Sequence, residues 1–289
     1  MCGTNCGVVE LMFSTLTLTL LFVAQIVGTQ SIYTVKRGES LTTVGARSGI
    51  SVRVLASENH LGVESHLKVG QVLKLDNRHI VPAIDGVKIV VNIPQRMLFF
   101  AAAGGMVESF PAAAGKRSWR TPRGDFTVLT LETDPTWNVP PSIQEEMRSQ
   151  GKPVLKQVPP SPENPLGKYW IGLSIPGVGI HGTNQPGSIF GLVTHGCVRL
   201  HPDDIATLFS RAEIGMPGRF IYEPVLVVRV GDSIFVEVHP DVYRLAPEPL
   251  ETIVEQTRAA GFFEMLDMSL VQDAIRKRDG IARDVTRRQ

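Results

Sequence analysis

The stretch HGTNQPGSIFGLVTHGCVRL, from His181 to Leu200, constrains this chain more than any other. Two histidines, His181 and His195, precede one cysteine, Cys197, within a short span. A cysteine becomes a nucleophile when a base or cation favours its thiolate, when it is partly exposed, and when donors await the oxyanion it creates. His181 and His195 are candidate bases, and spacing does not choose between them. Gly182 and Gly196 allow close backbone approach, so N–H groups beside Cys197 can form an oxyanion hole. Val198-Arg199-Leu200 has the pattern of a strand. On extended backbone His195, Cys197 and Arg199 would share one face by the period of two. A guanidinium there lowers the thiol pKa and can hold a substrate carboxylate; it can equally bond nearby carbonyls and fix the loop.

The other cysteines, Cys2 and Cys6, precede a charge-free run, LMFSTLTLTLLFVAQIV, from Leu11 to Val27. Small and polar residues follow from Gly28 to Ser31. Residues 1–30 read as a signal peptide, or as a retained membrane anchor, because Glu10 stands where a basic residue is expected. Exported proteins tend to pair their cysteines, so a solitary Cys197 in the mature chain points to a reactive thiol. The 29 basic and 28 acidic residues balance, which gives no reason to expect nucleic acid as a partner.

In chain order, residues 31–76 read as strand, helix, helix, strand. Ser40 and Ser51 are the helix caps and Gly49 a helix stop. Residues 77–85 read as a linker broken by Pro82, with Gly86 beyond it. From 86 to 224 short strands with turn signals dominate, interrupted at 134–168 by a proline-rich, lid-like insertion with a short helical piece at Ile143–Ser149. Residues 225–289 predict a β-hairpin and two amphipathic helices. Leu250, Ile253, Val254 and Thr257 share one apolar face; Leu266, Leu270 and Ala274 share another. The fold class expected is α+β.

The residues His181 and Thr194-His195-Gly196-Cys197-Val198-Arg199 resemble the signature of the L,D-transpeptidase catalytic domain, in the branch that anchors envelope lipoprotein. Residues Tyr33-Thr34-Val35-Lys36, Gly38-Glu39-Ser40-Leu41, Asn59 and Leu67-Lys68-Val69-Gly70-Gln71 resemble the glycan-binding LysM module. The resemblance implies a βααβ LysM module and then a mostly-β, sandwich-like catalytic domain. It implies Cys197 as nucleophile and His181 as proton donor and acceptor, with His195 and Gly196 in the catalytic set. Arg199, Gly182, Thr183 and Thr194 would face substrate, and the insertion would roof the groove. The implied reaction forms a thioester at the diaminopimelate–D-alanine bond of a peptidoglycan stem tetrapeptide. The acyl group then passes to a diaminopimelate amine or to a lysine of an outer-membrane lipoprotein, in the periplasm, with no cofactor. Hydrolysis of the same bond is the alternative, and a non-catalytic wall-binding protein is the alternative of another class. Zinc held by His181, His195, Cys197 and His201 is a further rival, although their spacing is unlike that of ordinary zinc sites.

Overall fold

The computed structural model describes residues 25–288, so the expected signal segment lies outside the described residues as far as Ala24. Ile26–Val27 pairs antiparallel with His79–Ile80, so the fold uses residues on the far side of the Gly28–Ser31 region.

The first unit forms for local reasons. Ser40 caps α1 (Leu41–Ser48) in a reciprocal box with Thr43, and Gly49, at φ 71°, ends it in the left-handed conformation. Ser51 caps α2 (Val52–Glu58). The helices lay Leu41, Val44, Leu55 and Ala56 against Leu73 and Leu75. Strands Gln30–Thr34 and Val72–Asp76 complete the unit as an antiparallel pair. Each such buried aliphatic side chain contributes about 1.5–3 kcal/mol relative to exposure. Asn59 joins the end of α2 to the return strand: its amide donates to Leu55 O and Lys74 O, and its oxygen accepts from Lys74 N at 2.7 Å.

The part expected to be catalytic is a closed barrel rather than a sandwich. Around the ring, Val107–Gly115 is followed by Val198–Leu200, Gly179–His181, Tyr169–Leu173, Gly124–Thr133, Pro217–Ile221, Ile89–Asn92 and Met97–Ala101, which pairs back to Val107–Gly115. One strand closes it. The first part of Val107–Gly115 pairs with Met97–Ala101, and Ala112 and Ala113 further along pair with Leu200 and Arg199. Sharing one strand between two edges leaves no open edge in the ring. Leu192–Thr194 adds a short parallel pairing beside Ala114 and Gly115.

Alternate residues fill the interior: Ile89 and Val91, Leu98 and Phe100, Phe126 and Val128, Val198 and Leu200. Helix α4 (Pro202–Phe209) packs Ile205 and Leu208 into the same core. The outward side chains Val90, Met97 and Phe99 are buried too, because Val81 and Ile84 cover them. Residues 77–85 are therefore no open tether: His79 through Pro82 and Ile84 are all buried.

Beyond the barrel, strands Val225–Val230 and Ser233–Val238 form the expected hairpin. Helices α5 (Pro249–Ala259) and α6 (Met268–Lys277) cover it through Ile253, Val271 and Ala274. The expected helix faces shift slightly: Leu250 and Leu270 are exposed, and Val271 takes the core position beside Ala274. Glu237 on this hairpin is fully buried, and its carboxylate accepts from four groups. These are His79 Nδ1 at 2.8 Å, His239 Nε2 at 2.7 Å, Gln95 Nε2 at 3.0 Å and Ile80 N at 2.6 Å. His79 also reaches Gly49 O at 3.0 Å. This histidine ties the first unit, the barrel and the C-terminal hairpin together.

Candidate active site

Parallel pairing places the candidate residues. Ile180 lies opposite Val198 and His181 opposite Arg199, so Cys197, one step before Val198, is level with Gly179. His181, Thr194, His195, Cys197 and Arg199 all line one cavity of about 640 Å³. Its outer wall comes from the insertion, through Trp137, Ile143, Met147 and Leu166, and Trp170 lines it from the barrel.

His181 is buried, and its Nδ1–H donates to Gly182 O at 2.7 Å, which leaves Nε2 as the basic nitrogen. Burial, and then the positive charge of Arg199, push its pKa down to about 4, so the ring is neutral near pH 7. Trp170 stacks against it with ring centroids 5.8 Å apart. Gly179 is required by that stack: a Cβ there would collide with the indole.

Cys197 is half-buried, with its thiol 3.6 Å from Gly177 O. Burial raises the thiol pKa; the Gly179 backbone and the Arg199 charge act against that rise. Arg199 donates from Nη1 to Ser188 Oγ at 3.0 Å, and its buried Nε has no partner among the described residues.

The extended-backbone reading of 195–199 does not hold. His195 to Cys197 is a bend, with Gly196 at φ 115°, a conformation that suits glycine. His195 reaches the cavity by this bend and not by strand periodicity. The Gly196 N–H is engaged by Thr194 Oγ1 at 3.2 Å, so this residue shapes the turn and is not a free oxyanion donor. Thr194 Oγ1 in turn donates to Cys197 O at 2.6 Å. Gly182 and Thr183, expected to face substrate, are not among the cavity-lining residues. Gly182 sits behind His181 with its carbonyl holding the ring, and Thr183 Oγ1 accepts from Gln185 N at 2.9 Å.

His195 has partners that spacing did not reveal. Its Nε2 contacts Glu146, and Glu146 also accepts from Lys116 Nζ at 2.8 Å. Lys116 first, then His195, hold the Glu146 carboxyl below its ordinary range. Trp119 meets the His195 ring edge-on at 5.0 Å. Glu146, Lys116 and Trp119 stand far from the Cys197 motif in sequence, and no spacing joins them to it; Ser188 lies within the His181–Leu200 stretch, but nothing in the spacing marks it as the partner of Arg199.

The zinc rival lacks geometry. Among the described residues no three of His181, His195, Cys197 and His201 bring donor atoms within 4.8 Å of one another, whereas His79, Glu237 and His239 do. Those three are joined to each other by hydrogen bonds through Glu237. His201 Nδ1 instead accepts from Asp203 N at the start of α4.

Two family descriptions match the chain: the L,D-transpeptidase catalytic domain over residues 86–229, and the LysM domain over residues 33–76. The chain is 31% identical over 257 residues to the probable L,D-transpeptidase ErfK/SrfK of Salmonella typhimurium, covering 84% of this chain and 81% of that protein. It is 30% identical over 226 residues to the probable L,D-transpeptidase ErfK/SrfK of Escherichia coli, covering 74% and 72%. Against the probable L,D-transpeptidase YbiS of E. coli the identity is 35% over 188 residues, and the match spans 63% of this chain but 60% of that relative's length.

Proposed function

The chain belongs to the L,D-transpeptidase family, and from that premise we propose that it is a cysteine acyltransferase acting on peptidoglycan stem peptides, held at the wall by its LysM module. The observation that carries this reading is that His181, at the end of strand Gly179–His181, and Cys197, in the bend leading into the parallel strand Val198–Leu200, line one cavity, with the imidazole neutral and its tautomer fixed.

Cys197 Sγ attacks the carbonyl carbon of the diaminopimelate–D-alanine bond while His181 Nε2 takes the thiol proton. The tetrahedral adduct collapses, the C–N bond breaks, and His181 returns the proton to the departing D-alanine amine. A thioester remains. An acceptor amine then attacks that carbonyl, gives its proton to His181, and displaces the thiolate, which recovers a proton. Arg199 lines the cavity, and its charge offsets the negative charge that builds at sulfur.

The acceptor is a diaminopimelate amine or a lipoprotein lysine, and water in its place gives hydrolysis. The LysM unit takes N-acetylglucosamine-containing glycan. The reaction belongs to the periplasm. No helix among the described residues is long and apolar enough to cross a membrane.

Intact-protein mass spectrometry after exposure to a carbapenem tests the reading. A covalent adduct is expected on the wild type and none on Cys197→Ala. His181→Ala should slow acylation by roughly 10²–10⁴-fold. An adduct that persists in Cys197→Ala would overturn the thiol mechanism.

A further inference from the structure

Helix α3 (Pro141–Ser149) walls the cavity without burying a residue of its own. Apolar packing therefore does little to fix it. Among the described residues the α3 side chain that hydrogen-bonds to the barrel is that of Glu146. One carboxylate oxygen accepts from Lys116 Nζ at 2.8 Å, and the other meets His195 Nε2. The two nitrogens lie 3.3 Å apart. Both are held from behind: Lys116 N donates to Thr194 O at 3.0 Å, and Trp119 braces the His195 ring. They converge on the Glu146 carboxylate, which lines the cavity together with His195, next to the nucleophile's loop. Two donors side by side match the two oxygens of a carboxylate. Here the lid itself supplies that carboxylate.

We propose that Lys116 and His195 form a carboxylate-binding subsite for the substrate peptide, and that Glu146 is its resident counter-charge, displaced when a substrate carboxylate enters. The choice of a peptide ligand rests on the function proposed above; the subsite rests on the geometry. The exchange is accessible. The side chains keep 32% exposure at Lys116, 30% at His195 and 26% at Glu146, so one carboxylate replaces another without a large desolvation cost. The other basic groups that line the cavity are differently placed: Arg199 is bonded to Ser188, His181 is a neutral ring bonded to Gly182, and Lys152 sits on the insertion itself.

The test uses the full chain carrying Cys197→Ser, which binds without turnover. The probes are a stem tetrapeptide with free carboxylates and the same peptide with its carboxylates converted to amides. Indole fluorescence reads binding, because Trp137 and Trp170 line the cavity and Trp119 touches His195. Glu146→Gln should tighten the acidic peptide by roughly three- to fivefold, and Lys116→Met should weaken it by a similar factor. Lys116→Arg should restore binding. The amidated peptide should respond to none of these changes. Equal shifts for both peptides, or no shift for either, would reduce Glu146 to a latch on the helix and overturn the subsite. Failure of the thioester reading would look different: carbapenem adducts would be missing while the charge-dependent binding remained.

Discussion

Arg47 on α1 donates to Asp204 on α4 at 2.6 Å, and this bond fastens the LysM module to the catalytic barrel. Ala46 packs beside it against Ala113 and Ile189. Ile189 directly follows the 3-10 turn Pro186–Ser188, whose Ser188 holds Arg199. The module thus braces a turn that bears on the catalytic cavity. Arg47→Met leaves the largely buried Asp204 without its cation. The half-exposed arginine limits the cost to about 1 kcal/mol, readable as a lower urea midpoint at unchanged m. Deleting residues 31–76 should cost more, through the uncovered Ala113 and Ile189, and should slow carbapenem acylation as well as weaken retention on sacculi. Unchanged acylation by a folded deletion variant would show that the brace has no bearing on Arg199.

The acid limb of the reaction should sit low. His181 has its folded pKa pushed from 6.5 down to about 4, by burial first and Arg199 second. The neutral base therefore persists below pH 6, and the second-order acylation rate should fall only as pH approaches about 4. The thiol of Cys197 is displaced upward by burial, so the rate should keep rising into the alkaline range. Removing the Arg199 cation favours the protonated imidazole, so Arg199→Met should move the acid limb upward. The pH profile of carbapenem acylation measures both limbs. An acid limb centred near 6.5, or one that Arg199→Met leaves in place, would contradict the assignment.

Acid should also loosen the junction around Glu237. Hydrogen bonds and charge from His79 and His239 outweigh burial there and hold its carboxyl down to about 2. The stabilisation is present above its ordinary pKa of 4.5 and is lost as pH falls through about 2. His239 is held below its ordinary value by burial, so protonation also penalises the fold below 6.5. Glu237→Gln keeps a similar shape but removes the charge and leaves at least one donor mispaired. It should cost about 1–3 kcal/mol at pH 7 and flatten the acid slope of stability. Thermal unfolding at several pH values checks both effects.

The legible parts of this chain were the local ones. Ser40 as cap and Gly49 as stop bound α1 within ten residues, and the structure places the helix there, with Thr43 completing the cap. Cys197, His181, His195 and Arg199 were legible as a set from the motif they share, and the structure brings all four to one cavity. Barrel closure was hidden: it depends on Val107–Gly115 serving two edges, which strand periodicity does not encode. The bend at Gly196 was hidden for the opposite reason, since one positive φ cancels a period of two. Glu146 was invisible because its partners, Lys116 and His195, are joined to it by the folding of the insertion and by no spacing in the chain.

Gly179 offers a test of how the base is positioned. It stands level with Cys197, and the Trp170 indole lies over it, where any Cβ would collide with the ring. The same indole stacks on His181, and Gly172 leaves room for its other side. Gly179→Ala must therefore push Trp170 toward His181 or out into the cavity. Acylation should fall by roughly tenfold or more, since small displacements of a catalytic group are costly. The thiol itself is not moved, so Cys197 should still be alkylated by iodoacetamide at close to the wild-type rate. Trp170→Ala alone removes the stack and should slow acylation less. In the Gly179→Ala background, Trp170→Ala removes the collision and should recover part of the lost rate, a coupling that a double-mutant cycle quantifies. Strictly additive losses would mean that the indole does not transmit the effect of Gly179 to His181.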